Sequence, residues 1–411
     1  MRGRTARVLS FLLLSWLILH SRLLASDAAK PFHFNLYSIY GHQWFTVNDG
    51  SIWNPGNLFA VADSEARLFL NPEARLTLDV LRLSLSPRLS LDRGGRARTG
   101  LREANATLAL GRFELTAGKV LMKLGTGYMF TPISVITAAK AVSDPEDNLR
   151  GQEGVTMFKA DYYRESWSLS AIVFKRDNWH NLALFGYATI PGVDFYGLIY
   201  YPEYRKLEAG LAVATTVGQG LELHAEAMLR QRSPLLEHRV CRADNPRVSY
   251  GEWSLFQPED RLYLEALLGV NATIKGVSVI AEYSHRDWGL TRRGFANLKD
   301  YFFYNLQRCP DPLQSMDIGS AMQVVQAGGR GLMRDYIFAR IAKNIGKTDI
   351  SAITFLNLAD FSLMSMVDLN FELADGVAFF IRPIFFSGRP ASEFGNSFYS
   401  SMVHIGFTAV L

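Results

Sequence analysis

In the stretch LELHAEAML, Glu222, His224, Glu226 and Met228 alternate with Leu221, Leu223, Ala225, Ala227 and Leu229. Period-two alternation puts the polar set on one face of a strand and the apolar set on the other. Extended along the chain, the same reading gives a polar-face set. It comprises Lys159, Asp161, Glu222, Glu226, Arg230, Glu265, Glu282, Arg286, Arg340, Asp368, Glu372 and Arg382. An Arg or Lys facing hydrocarbon at a bilayer midplane costs roughly 2–4 kcal/mol, so these charges are expected to face water. Two chemistries fit. One is a solvated lumen with mutual salt bridges. The other is a selectivity constriction whose opposed acidic and basic rows orient a solute. Both signs occur, so the set fixes no preference for anions or cations.

Other reactive residues are sparse. Cys241 and Cys309 are the only cysteines. Both fall in long connections, and in an oxidising compartment they are expected to form a disulfide. Two lone cysteines lack the close-spaced partners of a zinc site. DPEDN at 144–148 is a carboxylate cluster that reads as a solvated loop rather than a calcium site. Gly125-Thr126-Gly127 has no strand–helix unit or downstream acid to make it a nucleotide motif. Beyond residue 26, the histidines are His33, His42, His180, His224, His238, His285 and His404, and none sits in a catalytic pattern. No enzyme, metal or cofactor is expected. The Asn-Ala-Thr sequons at Asn105 and Asn271 fall in expected strands and are discounted.

The elements that must position the polar set follow from composition. Residues 1–26 have a basic start, an apolar middle and small residues at Ala25, Ser26 and Ala28, the pattern of a secretory signal peptide cut after Ser26. The apolar middle is shorter than the roughly 20 residues of a spanning helix, which disfavours a retained anchor. The chain has 43 basic and 39 acidic residues; without Arg2, Arg4, Arg7 and Arg22 it is neutral, which offers nucleic acid no electrostatic attraction. The rest is rich in apolar and aromatic residues yet has no apolar run long enough for a helical span. Alternating strands dilute apolar residues in this way, as in an outer-membrane β-barrel.

Short turns are expected near Asn71-Pro72, Gly111-Arg112, Arg164-Glu165, Pro191-Gly192, Gly218-Gln219-Gly220, Lys275-Gly276, Gly346-Lys347 and Asp375-Gly376. Longer connections fall between them, near 41–61, 86–103, 119–153, 175–180, 201–205, 231–260, 287–332, 358–362 and 387–400. Short turns at one rim and long loops at the other predict a single all-β, antiparallel up-and-down barrel over residues 27–411. Eighteen strands fit best, with sixteen and fourteen as alternatives. A phase slip at Val80-Leu81 suggests a bulge. The final strand, SSMVHIGFTAVL, alternates through Leu411 and must close against the first, because unpaired backbone groups in hydrocarbon cost several kcal/mol each.

The stretch GRFELTAGKVLMKLGTGYMFTPISVITAAKAVSDPEDNLRGQEGVTMFKADYY resembles a segment of porin-like outer-membrane barrels, including those related to alginate-export proteins. The matching positions are Gly118-Lys119, Leu124-Gly125-Thr126-Gly127-Tyr128, Pro132 to Val135, and Asp144-Pro145-Glu146. Leu124 stands where that family often has Trp, and Thr131 where it often has Asn. The resemblance implies that 119–153 runs near a pore, with Asp144, Glu146, Asp147, Arg150 and Glu153 as constriction-loop charges. The apolar piece MFTPISVITAA would then pack on the lumen wall, lie as a lid at the outer rim, or contact another subunit. The last strand is similar to the signal such barrels present to their assembly machinery, although it ends in Leu411 rather than an aromatic.

These readings lead to one expected function: an outer-membrane channel, surrounded by lipid, through which small hydrophilic solutes diffuse passively. The alternative is a surface-exposed adhesin or structural barrel acting through loops 231–260 and 287–332.

Overall fold

The computed structural model describes residues 31–92, 95–136, 152–176, 179–202, 206–257, 261–327 and 331–411. The first strands are β1 (Phe32–Val47), β2 (Ser64–Leu78), β3 (Leu81–Asp92), β4 (Ala97–Leu110), β5 (Phe113–Val120) and β6 (Val155–Tyr163). Next come β7 (Trp167–Arg176), β8 (Trp179–Ile190), β9 (Val193–Pro202), β10 (Glu208–Val217), β11 (Leu221–Arg230) and β12 (Tyr263–Ile274). The last are β13 (Val277–Arg286), β14 (Asp335–Ile345), β15 (Thr348–Asn357), β16 (Leu363–Ala374), β17 (Val377–Ser387) and β18 (Tyr399–Val410).

Together they form one 18-stranded antiparallel sheet. It closes where β18 pairs with β1, from Tyr37 opposite Val410 to Trp44 opposite Val403. Leu36 and Leu411 exchange two backbone bonds of 2.8 and 3.0 Å, so the apolar end of the chain is paired. Alternation explains the wall. On β11, Leu223 and Leu229 are exposed on the outer face while His224, Glu226 and Met228 are buried inside. Tight turns join the strands at one rim; in Lys275-Gly276 both residues have positive φ, 50° and 76°, which suits a two-residue hairpin.

Three local expectations are corrected. Asn71-Pro72 is not a turn: both residues lie within β2, and the turn falls at Asp79-Val80, where a bulge was expected. The β2–β3 ladder lapses between Leu70–Leu89 and Ala74–Leu85, the stretch containing Pro72 and Pro87, neither of which has an N–H to donate. The loop expected over 86–103 shrinks accordingly, and a register shift at Ser86/Pro87 keeps β3 and β4 paired. The long connection expected over 287–332, read without helices, holds two, α1 (Arg292–Arg308) and α2 (Met316–Ala327). Thr291 caps α1 by accepting from the Gly294 N–H at 3.0 Å. Phe295, Leu298, Tyr301 and Phe302, at helical spacing, are its buried face.

The expected Cys241–Cys309 disulfide is absent, and both thiols are free. Cys241 lies against Gly294 in the first turn of α1, whereas Cys309 is the C-cap of the same helix. Fifteen residues of helix hold them roughly 22 Å apart, far beyond the ~7 Å Cα separation a disulfide spans.

Candidate functional site

The lumen is the candidate site, and its most constrained part is residues 121–136, which leave β5 and fold against the inner wall. Leu124, Ile133, Val135 and Ile136 are buried against Met157, Ile172, Phe174, Leu198 and Met228 of β6–β11. Met129 and Phe130 join a second cluster with Phe338, Phe355 and Met366 of the wall and with Phe302 of α1. Each such side chain contributes roughly 1.5–3 kcal/mol by leaving water. Of the three placements open to MFTPISVITAA, its described part therefore takes the lumen wall.

Burying a backbone requires partners for its polar groups. Two wall carboxylates supply them. Glu226 accepts from the backbone N–H groups of Thr126 at 2.5 Å, Gly127 at 2.7 Å and Ile133 at 3.3 Å, and from the Thr126 hydroxyl at 3.2 Å. Glu282 accepts from the N–H groups of Tyr128, of Met129 at 2.9 Å and of Phe130 at 3.1 Å. Carbonyls are met by arginines: Arg230 donates to Pro132 O and Arg176 to Val135 O, both at 3.0 Å. The glycines of Leu124-Gly125-Thr126-Gly127-Tyr128 follow from this. Gly125 has φ 88°, and a Cβ there would lie 2.5 Å from Glu226 Oε1; one on Gly127 would lie 1.8 Å from Phe130 O.

The other polar-face residues sit in short networks. Lys159 Nζ is 2.7 Å from Asp161, which also accepts from Ser170 at 2.6 Å. Arg230 bridges Glu208 at 2.7 Å and Glu265 at 3.0 Å. Arg382 pairs with Asp368 at 2.8 Å. Arg286 donates to Gly331 O and Met333 O and stacks on Tyr336, while Arg340 lies over the ring of Tyr128. Glu222 is half-buried and Glu372 is exposed near the short-turn rim. Of the constriction-loop residues, Glu153 pairs with Lys119 at 2.9 Å. Asp144, Glu146, Asp147 and Arg150 lie outside the described residues, as does the signal segment 1–26.

Sequence reading missed a row on β2–β4. Alternation places Arg67, Arg75, Arg82, Arg88, Arg98 and Arg102 on the lumen face there. Arg67 pairs with Glu65 at 2.5 Å, Arg102 with Glu73 at 3.3 Å, and Arg88 stacks on Phe69. Arg75, Arg82 and Arg98 are exposed and form no ion pair among the described residues. Their signal was hidden by the turn expected at Asn71-Pro72 and the loop expected over 86–103, which split these strands and left Arg88, Arg98 and Arg102 outside them.

At the long-loop rim, His238, Ser254 and Ser320 meet in a fully buried cluster. His238 Nε2 is 2.8 Å from Ser254 Oγ and 3.0 Å from Ser320 Oγ. Its Nδ1 accepts from the Val240 N–H at 3.2 Å, so Nε2 carries the proton and has no lone pair to activate a serine. Burial pushes this imidazole down to about 4, which keeps it neutral.

No protein-family model and no curated protein matches this sequence. Solved structures do match. The chain is similar to Pseudomonas aeruginosa OccK5 (OpdH), with 8% identity over 92% of this chain and 98% of that one and a TM-score of 0.55. It is similar to OccK11 (OpdR) of the same organism, with 11% identity over 92% and 95% of the two chains and a TM-score of 0.54. Acinetobacter baumannii OccAB1 matches with 10% identity over 94% and 98%, at a TM-score of 0.54. What this chain shares with all three is a β-barrel fold over nearly its whole length.

Proposed function

We propose that the protein is an outer-membrane channel through which small hydrophilic solutes diffuse passively, with a preference for anions. A closed wall with an apolar outer face supports membrane insertion, since closure satisfies every strand edge. Phe34, Leu83, Phe158, Val173, Leu211, Leu268, Ile341 and Phe407 are among the exposed apolar residues of that face. The porin-like and alginate-export-like pattern of residues 111–163 supports the same reading. Lipid surrounds the barrel, and β18 is the strand offered to the assembly machinery. Catalysis is not part of this reading: the one buried His–Ser cluster described above has a neutral imidazole whose Nδ1 lone pair is taken by Val240 N–H, so its protonated Nε2 faces the serines.

The observation that carries the proposal is the asymmetry of the lumen. On β6–β17 the acidic groups are largely consumed: Asp161, Glu226, Glu265, Glu282 and Asp368 are all buried. On β2–β4, Arg75, Arg82 and Arg98 remain exposed. Water and solute therefore pass along a β2–β4 wall whose uncommitted charge is positive, opposite a docked segment anchored by buried carboxylates; Asp194, Glu222 and Glu372 are among the acids left near the short-turn rim. Small organic anions are the favoured solutes.

Liposome swelling tests this directly. Proteoliposomes should swell in isotonic small sugars and swell faster in small organic anions than in organic cations of equal size. The variant Arg75→Glu/Arg82→Glu/Arg98→Glu should reverse that order. Correctly inserted barrels that admit no solute would overturn the channel and leave the loop-mediated adhesin.

A further inference from the structure

We propose that the recess beneath Thr126 at the short-turn mouth is a binding site for small organic cations, diamines in particular. The recess has a volume of about 450 Å³ and is lined by Thr126, Asp194, Tyr196, Ala214, Thr216 and Glu222 among others. Register explains why it is there. Asp194 on β9 lies opposite Ala214 on β10, and Ala214 lies opposite His224 on β11. A single methyl in the middle of this inward row leaves a hollow between larger side chains. Thr126 of the docked segment roofs it, fixed by its two bonds to Glu226.

The lining chemistry selects charge. Asp194 and Glu222 contribute two carboxylates, and among the described residues no Lys or Arg lines the recess. The groups facing them are the Tyr187 hydroxyl, which donates to Asp194 at 2.8 Å, and His224, whose Nδ1 is 3.7 Å from Glu222. That Nδ1 is buried without a hydrogen-bond partner and points to the Glu222 edge of the hollow. Thr216 and Thr126 add neutral oxygens and Tyr196 an aromatic face, both suited to an ammonium group. The two carboxylates stand on strands two apart and are offset by two residues along them, so their backbones are roughly 12 Å apart. A short diamine reaches both side chains; a neutral diol of equal length gains no charge complementarity.

The test is calorimetric titration of the full barrel in detergent, with putrescine as probe and 1,4-butanediol as its neutral counterpart. Binding is read whether or not the barrel conducts, so this inference stands or falls separately from the channel. We expect one putrescine site, salt-sensitive, and no diol binding. Asp194→Asn/Glu222→Gln should weaken putrescine at least tenfold. Ala214→Leu, which fills the hollow without changing charge, should do the same. Heat-modifiable migration establishes that each variant is folded. No putrescine binding, equal binding of the diol, or binding unchanged in both variants would overturn the site.

Discussion

The Glu226 carboxylate holds both the backbone N–H of Thr126, at 2.5 Å, and its hydroxyl, at 3.2 Å, across one hundred residues of sequence. A wall charge expected to face solute instead anchors the segment that narrows the lumen. Opposed acidic and basic sets thus become one buried anchor and one exposed row.

Removing that anchor should loosen the segment without opening the barrel. Glu226→Ala leaves the N–H groups of Thr126, Gly127 and Ile133 without their acceptor, at about 1–3 kcal/mol per buried group. Hydrogen exchange at 126–133 should accelerate by at least a hundredfold, while β11 amides stay protected. Unchanged protection at 126–133 would show that apolar packing alone docks the segment.

Gly127→Val tests the tight turn from the other side. Its side chain would collide with the Phe130 carbonyl, and no rotamer relieves a clash at Cβ. The barrel should still fold and show heat-modifiable migration, since the backbone clash lies within the docked segment and the wall contact, 2.5 Å from Leu267 Cδ2, is with the end of a flexible side chain. Single-channel current should become larger and noisier than that of the native protein.

Glu393, in the loop between β17 and β18, gives a pH dependence. Its carboxylate accepts from Tyr336 OH at 2.6 Å, Asn357 Nδ2 at 2.8 Å and Leu332 N at 2.5 Å. Burial pushes its carboxyl from an ordinary 4.5 up to about 7, against the opposing pull of these donors and Arg286; Asp360 adds to the rise. A raised carboxyl binds its proton more tightly when the loop is docked. Docking is therefore strongest below about pH 4.5 and weakens as pH rises through 7, by about 3 kcal/mol in all. Exchange at 388–398, corrected for intrinsic rates, should be faster at pH 8 than at pH 5. Glu393→Gln should flatten the difference.

The thiols should behave independently. Migration on non-reducing gels should not change on reduction. Cys241 is half-buried, with its thiol pushed up to about 12, mainly by desolvation, so Cys309 should react with maleimide faster. Equal rates would contradict the raised Cys241 thiol, and a mobility shift on reduction would contradict the helix-spanning separation.

The barrel was legible in the sequence because alternation, turn chemistry and the closing strand agree along most of the chain. β11 and β18 show this plainly, and eighteen strands were reached from turns and loops alone. It failed locally at Pro72 and Pro87, where paired prolines sit inside strands and imitate a turn. That error, with the loop expected over 86–103, hid the arginine row of β2–β4. The helices at 292–308 and 316–327 were obscured because long polar connections were read by composition rather than by their 3.6-residue spacing. The inward side of Glu226 and Glu282 was visible; their partners were not, because alternation gives a face and never the segment that covers it.

The central claim is an open lumen with uncommitted positive charge, and single-channel recording in a planar bilayer under a salt gradient tests it most directly. Discrete current steps with an anion-selective reversal potential are predicted, shifting toward cations in Arg75→Glu/Arg82→Glu/Arg98→Glu. Cleanly inserted barrels that give no steps, or a cation-selective reversal in the native protein, would contradict it.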